Sequence, residues 1–423
     1  MLTAIVGINW GDEGKGRMVD LLSENYKIIA RYQGGNNAGH SVIVDGKKYV
    51  MNLLPSGILR EDTVNILGTG MVIDPHHLVD EIERIKASGI VFSEDHLKIS
   101  NRATLCLSYH KLLDCLEEER LGDKKFGSTK RGIAPVYSDK YMKKTLRFAD
   151  LFDEDSLKEK VTDILEWKNL LITAYGHQPI TVDEIMNELQ TYAYPLRKYV
   201  CDTTVWLDNK IKEGADVLFE AQLGALRDIE YGIYPFTSSS TTLSAYAPIG
   251  AGVPNRKLDT VIGIIKAYST CVGEGPFTAE LFDENADKLR EYGLEYGAAT
   301  GRPRRVGGFD VVASKYGTQM QGATYLALTK LDVLDNFETI PVCVAYELEG
   351  KRIDYFPVGD DLKKAKPIYE FFKGWKTNTS ECKTKEELPE EARAYVDFIE
   401  KAVECPIKYI SVSAEREKCI KVF

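Results

Sequence analysis

The chain has 423 residues, a formal net charge of −10, 44% hydrophobic residues and 28% charged ones. No run of about 18 apolar residues occurs, which argues against a membrane span, and the acidic balance opposes a general nucleic-acid surface. Eight cysteines form no CxxC pair and no basic, apolar leader opens the chain, so the expectation is a reduced, cytoplasmic protein without a zinc site.

Leu2 to Gly7 reads as a short buried strand and Met18 to Leu22 as the apolar start of a helix, with Gly7, Gly11, Gly14 and Gly16 around the turn between them. Strand, glycine loop and helix make a phosphate site: backbone N–H groups converge on an anion and the helix aims its positive end at the same spot. Lys15 adds a point charge. The loop departs from GxxxxGK[ST], because Asn9 stands where the first glycine belongs and Gly16 where a metal-holding hydroxyl belongs. Asp12 is the natural substitute, since Mg²⁺ commonly takes one or two carboxylates together with substrate phosphates.

Lys27 to Tyr32 reads as a second strand, and the glycine cluster Gln33 to His40 that follows it reaches the same sheet edge. There the Asn amides can read a polar ring and His40 can exchange a proton near neutral pH. Val64 to Leu67 is the next strand. Pro75 to Lys86 is a helix whose adjacent His76 and His77 suit structural or surface roles. Gly127 to Gly132, with Ser128, Thr129, Lys130 and Arg131, offers hydroxyls and charge to a further phosphate, and Asp150 to Lys212 has helical periodicity. Strands recur at Val217 to Glu220, Thr260 to Ala267, Tyr325 to Lys330, Ile340 to Tyr346 and Ile407 to Val412. Hydroxyl-rich Phe236 to Thr242 lies between the first two of these, and Glu386 to Ala402 reads as an amphipathic helix before the last.

Gly297 to Arg305 places Arg302, Arg304 and Arg305 close together, a density that calls for anions, and guanidinium forks suit carboxylates and phosphates. Thr329-Lys330-Leu331-Asp332 ends a strand and resembles the guanine-reading NKxD box. The Asp332 carboxylate can accept from guanine's ring N–H and exocyclic amine, a donor pair that adenine lacks. The alternation of strands and helices predicts an α/β fold: a large, mainly parallel, twisted sheet with flanking helices, P-loop NTPase-like. Residues 1–423 read as a single domain, with mainly helical insertions over 75–130 and 150–212.

WGDEGKGR, QGGNNAGH, STKRGIAPVYSDK, KAYSTCVGEGPF, TGRPRR, GGFD and LTKLDVLD together resemble the adenylosuccinate synthetase family, in its order and spacing from residue 2 to about residue 416. The resemblance implies that IMP, L-aspartate and GTP give adenylosuccinate, GDP and phosphate in a Mg²⁺-requiring homodimer. It implies Asp12 as general base, His40 as acid toward the phosphoryl group and Lys15 as charge stabiliser, with Asp12 and the carbonyl of Gly39 holding the metal. Asp12, Glu13, Gly14, Lys15, Asn37, Ala38, Gly39, His40, Thr129 and Arg302 fall on IMP positions. Gly11, Asp12, Glu13, Gly14, Lys15, Gly16, Arg17, Gly39, His40, Ser41, Arg304, Lys330, Leu331, Asp332, Ser411, Val412 and Ser413 fall on GTP positions. Ala298, Ala299, Thr300, Gly301, Arg302, Pro303 and Arg304 cover the aspartate loop.

Several positions depart from the family. Lys143 stands where the partner subunit usually contributes an arginine to the IMP phosphate, with Arg147 nearby. Leu223 takes the place of an IMP-contacting glutamine, leaving Gln222 as stand-in, and Ser238 replaces a phosphate-binding threonine. Lys130 replaces a glycine, Ala299 a threonine and Cys271 an arginine. A related synthetase acting on another purine monophosphate such as dGMP, or a non-catalytic GTP-binding regulator, is the alternative; Asp12 weighs against the first, and Asp12 with His40 against the second.

Overall fold

The first strand, β1 (Leu2–Gly7), is buried along its whole length in the computed structural model of the chain. The structure describes all residues except 38, 45–46, 297–302 and 416. Ala4 and Val6 join one hydrophobic cluster and Ile5 joins another. A strand whose alternate side chains are buried on both faces belongs in the middle of a parallel sheet.

Nine more strands complete that sheet: β2 (Ile28–Arg31), β3 (Val64–Leu67), β4 (Leu97–Ser100), β5 (Val200–Cys201), β6 (Val217–Gly224), β7 (Thr260–Lys266), β8 (Tyr325–Thr329), β9 (Ile407–Ser411) and β10 (Cys419–Lys421). Their order is β10-β9-β8-β7-β1-β6-β2-β3-β4-β5, and only the edge strand β10 runs antiparallel to its neighbour. The loops after β1, β2, β6, β7, β8 and β9 therefore all leave one edge. Ligands of open α/β sheets bind in the crevice beyond such strand ends, where the order reverses. That place is β1, because the chain builds outward from it in both directions.

Helix boundaries follow local chemistry. Helix α1 (Lys15–Leu22) starts after left-handed Gly14. Helix α2 (Pro75–Ala87) has Pro75 in its first turn and an N-cap in Asp74, whose side chain accepts from the His77 amide. The helix Glu390–Ala402 buries Ala392, Tyr395, Val396 and Ile399, one stripe at helical spacing.

Two expectations are corrected. Ile340 to Tyr346 lies outside the main sheet: Thr339–Leu348 pairs antiparallel with Lys351–Ile353 and Lys366–Lys373 and parallel with Phe309–Asp310. Glu349 and Gly350 both take positive φ, which forms a two-residue hairpin turn and commits the strand to an antiparallel partner. The stretches 75–130 and 150–212 are helical but not wholly outside the sheet, since they supply β4 and β5, which pair with each other at its edge.

Candidate active site

Asp12, Gly14 to Arg17, Gly39 to Ser41, Glu220 to Leu223 and Arg304 line one cavity of about 230 Å³ at the β1 end of the sheet. The first glycine loop is braced from within. Glu13, 2% exposed, accepts from the amides of Asn9 (3.1 Å) and Gly11 (2.8 Å) through Oε1 and from Lys15 Nζ (2.7 Å) through Oε2. A Cβ on Gly224 would meet Glu13 Oε1 at 2.7 Å and the Asn9 carbonyl at 2.2 Å, so glycine is required where β6 passes this carboxylate. With both oxygens turned inward, ligand contact by Glu13 falls to its main chain. Asp12 takes a left-handed conformation, φ 59°, uncommon for a side chain and typical of functional turns. That turn leaves its carboxylate in the cavity, where Oδ2 lies 3.0 Å from the Arg304 guanidinium.

The second glycine loop is braced from outside. The Gly34 amide donates to the Tyr137 hydroxyl (2.9 Å), which donates to the Gly70 carbonyl (2.9 Å). Asn36 donates to Asp74 (3.1 Å). Gln222 donates to Asn37 Oδ1 (2.5 Å) and accepts from Arg31, a guanidinium that also reaches the Asn52 carbonyl. Gly34 has φ 78°, the left-handed region that favours glycine, and a Cβ there would also displace the Gln222 amide, whose Oε1 would lie 2.6 Å away. Ser238, Ser240, Gln33 and Gln222 form a hydrogen-bonded chain (3.1, 2.8 and 2.7 Å) that brings the hydroxyl segment to the same place. Leu223, φ 63°, lines the cavity itself.

His40 opens the ribbon that pairs His40–Val44 with Lys47–Met51. Its Nε2 is 3.3 Å from Glu220 Oε1 but misaligned for a hydrogen bond, which leaves this buried nitrogen unpartnered. Burial pulls its pKa down to about 4; Glu220 opposes this, and the charges of Arg31 and Lys15 reinforce it. The ring is therefore neutral at neutral pH in the free protein.

Thr329 binds the phosphate loop directly, its hydroxyl donating to the Glu13 carbonyl (2.7 Å). Arg17 donates to Ser411 and to the carbonyls of Glu415 and Lys418; burial lowers its pKa, and Cys419 and then Asp332 oppose this. Burial raises the Asp332 pKa, with Lys330 and Arg17 opposing. Ser411 accepts from Arg17 and donates to the Ser413 carbonyl (3.1 Å), and Val412 between them is fully buried. Arg17, Leu331, Asp332 and Ser411 to Ser413 thus gather beside the Asp12 cavity. Lys143 does not: with Lys140, Lys144 and Arg147 it lines a separate cavity of about 420 Å³. Thr129 is exposed. Ala38 and the loop positions Ala298, Ala299, Thr300, Gly301 and Arg302 lie outside the described residues; Pro303 pairs with Tyr296.

The adenylosuccinate synthetase family model matches residues 4–420. The chain belongs to this family. Curated adenylosuccinate synthetases from Geobacillus sp. and Streptococcus gordonii are 46% and 44% identical to it, each over 416 residues, covering 98% of this chain and 97% and 96% of theirs. The fully ligated adenylosuccinate synthetase of Plasmodium falciparum superposes with a TM-score of 0.92 at 35% identity, covering 99% of both chains. A cyanophage S-2L succinoaminodeoxyadenylate synthetase bound to dGMP and dATP superposes at 0.63 with 18% identity, covering 99% of this chain and 95% of that one, and so shares the fold alone. As a member of the adenylosuccinate synthetase family the chain is a GTP-dependent ligase that joins IMP to L-aspartate, rather than a non-catalytic GTP-binding regulator. No helix among the described residues is long and apolar enough to cross a membrane.

Sequence reasoning missed Arg31, Glu220, Lys266 and Glu295. The first three share a signal: each is a charged residue that closes or interrupts an otherwise apolar strand at the ligand edge.

Proposed function

We propose that Asp12 is the general base of adenylosuccinate formation and that Lys15, His40 and the loop amides stabilise phosphoryl transfer. The observation that carries this is the pairing, across one cavity, of a carboxylate held open in a left-handed turn with an unpartnered His40 Nε2. Asp12 removes the ring N–H proton of IMP, O6 attacks the γ-phosphorus of GTP and GDP leaves. The amine of aspartate then attacks C6 and expels phosphate, since an oxo group alone leaves poorly. General-base assistance of this kind is worth roughly 10²- to 10⁴-fold. His40 is neutral in the free protein; anionic ligands beside it favour its protonated form, whose Nε2–H donates to the transferring phosphoryl oxygen.

The donor set at the cavity suits Mg²⁺, which takes few protein oxygens and completes its shell with phosphate and water. Asp12 and the Gly39 carbonyl would hold the metal, and when bound it neutralises charge on the GTP phosphates. Asn37, Gln222, Ser238 and Thr129 serve IMP; Arg17, Lys330, Leu331, Asp332 and Ser411 to Ser413 serve GTP; and Arg304, with the loop before it, serves aspartate. The chain acts as a single domain in a cytoplasmic homodimer, with Lys143 and its basic neighbours completing the partner's IMP site. Purine absorbance and phosphate release are followed with GTP, Mg²⁺, L-aspartate and either IMP or dGMP. Aspartate-dependent product with IMP is expected, and its absence sinks this reading.

A further inference from the structure

Glu295 is fully buried, yet no step above uses it. Its Oε1 accepts from Lys266 Nζ (2.9 Å) and from the Tyr268 hydroxyl (2.5 Å), and lies 3.5 Å from Lys330 Nζ. Its Oε2 accepts from the Arg304 guanidinium (2.7 Å), whose other nitrogen is the one 3.0 Å from Asp12. Its backbone carbonyl accepts from the Arg304 amide (2.9 Å). Lys330 in turn donates to the Gly293 carbonyl (2.5 Å), two residues away along the chain. Burial works against ionisation of Glu295, but Lys266 and Lys330 outweigh it and bring its pKa down to about 2. The carboxylate is therefore charged throughout the neutral range.

We propose that Glu295 is a positioning residue shared by two substrate sites, its one carboxylate setting the Arg304 guanidinium against Asp12 while it orients the Lys330 ammonium of the guanine box. This rests on the assignment of Arg304 to aspartate and Lys330 to GTP given above. Three cations, Lys266, Arg304 and Lys330, surround two carboxylates, Glu295 and Asp12. Arg304 is held between Glu295 and Asp12 by its two terminal nitrogens, and the three cations leave the cluster one positive charge in excess for an incoming anion. Without the Glu295 charge, Arg304 keeps Asp12 as its only carboxylate partner among the described residues, and the aspartate site and the guanine box lose their common anchor.

Steady-state kinetics of Glu295→Gln and Tyr268→Phe test this. For Glu295→Gln the half-saturating concentrations of L-aspartate and GTP rise at least tenfold and threefold, kcat falls, and that of IMP stays within twofold. Tyr268→Phe, which keeps the charge but removes one of the hydrogen bonds to Oε1, gives the same order at about threefold for aspartate and decides the matter if the first variant does not fold. Aspartate and GTP values within twofold of the parent, or an IMP value raised as much as theirs, overturn the proposal. Arg304→Ala and Lys330→Ala separate the two readings: if they leave aspartate and GTP saturation unchanged, the site assignments fail, whatever Glu295 does.

Discussion

The two glycine loops reach one cavity but are held in opposite ways. The first carries its own brace, with Glu13 satisfying two loop amides and the Lys15 ammonium. The second is tied down by residues from elsewhere: Tyr137, Asp74, Gln222 and Arg31. A self-braced loop behaves as a unit, so damage to it affects every ligand it touches. A loop braced at separate points fails point by point.

The largest expected effect lies at the tip of the first loop. Asp12→Ala lowers aspartate-dependent phosphate release roughly 10²- to 10⁴-fold while GTP binding, measured with a fluorescent analogue, persists; retained turnover removes the base assignment. Glu13→Gln sharpens the comparison. It strips Lys15 of a buried counter-charge and weakens two amide bonds at once, so kcat falls about 10²-fold and the half-saturating concentrations of both IMP and GTP rise. A change confined to one nucleotide would show that the loop is not a unit.

Gln222→Ala cuts one external brace and leaves Asn37 and Arg31 each short of a partner. An IMP half-saturation about tenfold higher follows from a loss near 1.4 kcal/mol, with GTP within twofold. Equal effects on both nucleotides would erase the distinction between the loops.

How much was legible in the sequence follows the same division. The first loop could be read as a phosphate site because glycine spacing, lysine and helix onset are all local, and seven of the eight proposed strands lie in the main sheet because short apolar runs are local too. What the sequence does not show is that Glu13 turns its carboxylate inward, where Gly224 and Asn9 close round it. The partners of the second loop come from residues as far away as Gln222, which bonds Asn37 across 185 positions, a relation that no window of sequence contains. Gln222 reads as a stand-in because Leu223 stands at the family's glutamine position; in the fold Leu223 holds a left-handed turn at the end of β6, where the β1–β6 register shifts, and Gln222 turns to Asn37 and Arg31. Glu295 escaped notice for the converse reason: it is one acid beside an arginine-rich stretch, and its four partners, Lys266, Tyr268, Arg304 and Lys330, lie on three other segments.

Smaller effects test how the second loop rests on its supports. His40 is held neutral, its pKa drawn from 6.5 to about 4 by burial and by Arg31 and Lys15 against the pull of Glu220. On acidification the unfolded chain takes the proton first, so this contribution to stability is present above about pH 6.5 and is lost as pH falls toward 4. Urea midpoints between pH 7 and 4.5 should drop less for His40→Asn than for the parent, and parallel slopes would refute the assignment.

Tyr137→Phe is the mildest cut. It removes one hydroxyl that both accepts from Gly34 and donates to Gly70, leaving a buried amide and a buried carbonyl without that partner. The expected loss is about 1 to 3 kcal/mol of unfolding free energy, read as a lower urea midpoint at unchanged slope, with IMP half-saturation raised about threefold and GTP unmoved. Because Tyr137 lies on a helix (Ile133–Met142) that also carries Lys140 and ends at Lys143, a shift in that helix would reach the separate basic cavity as well. If the IMP effect exceeds that of Gln222→Ala, the helix and not the strand end is the main support of the second loop.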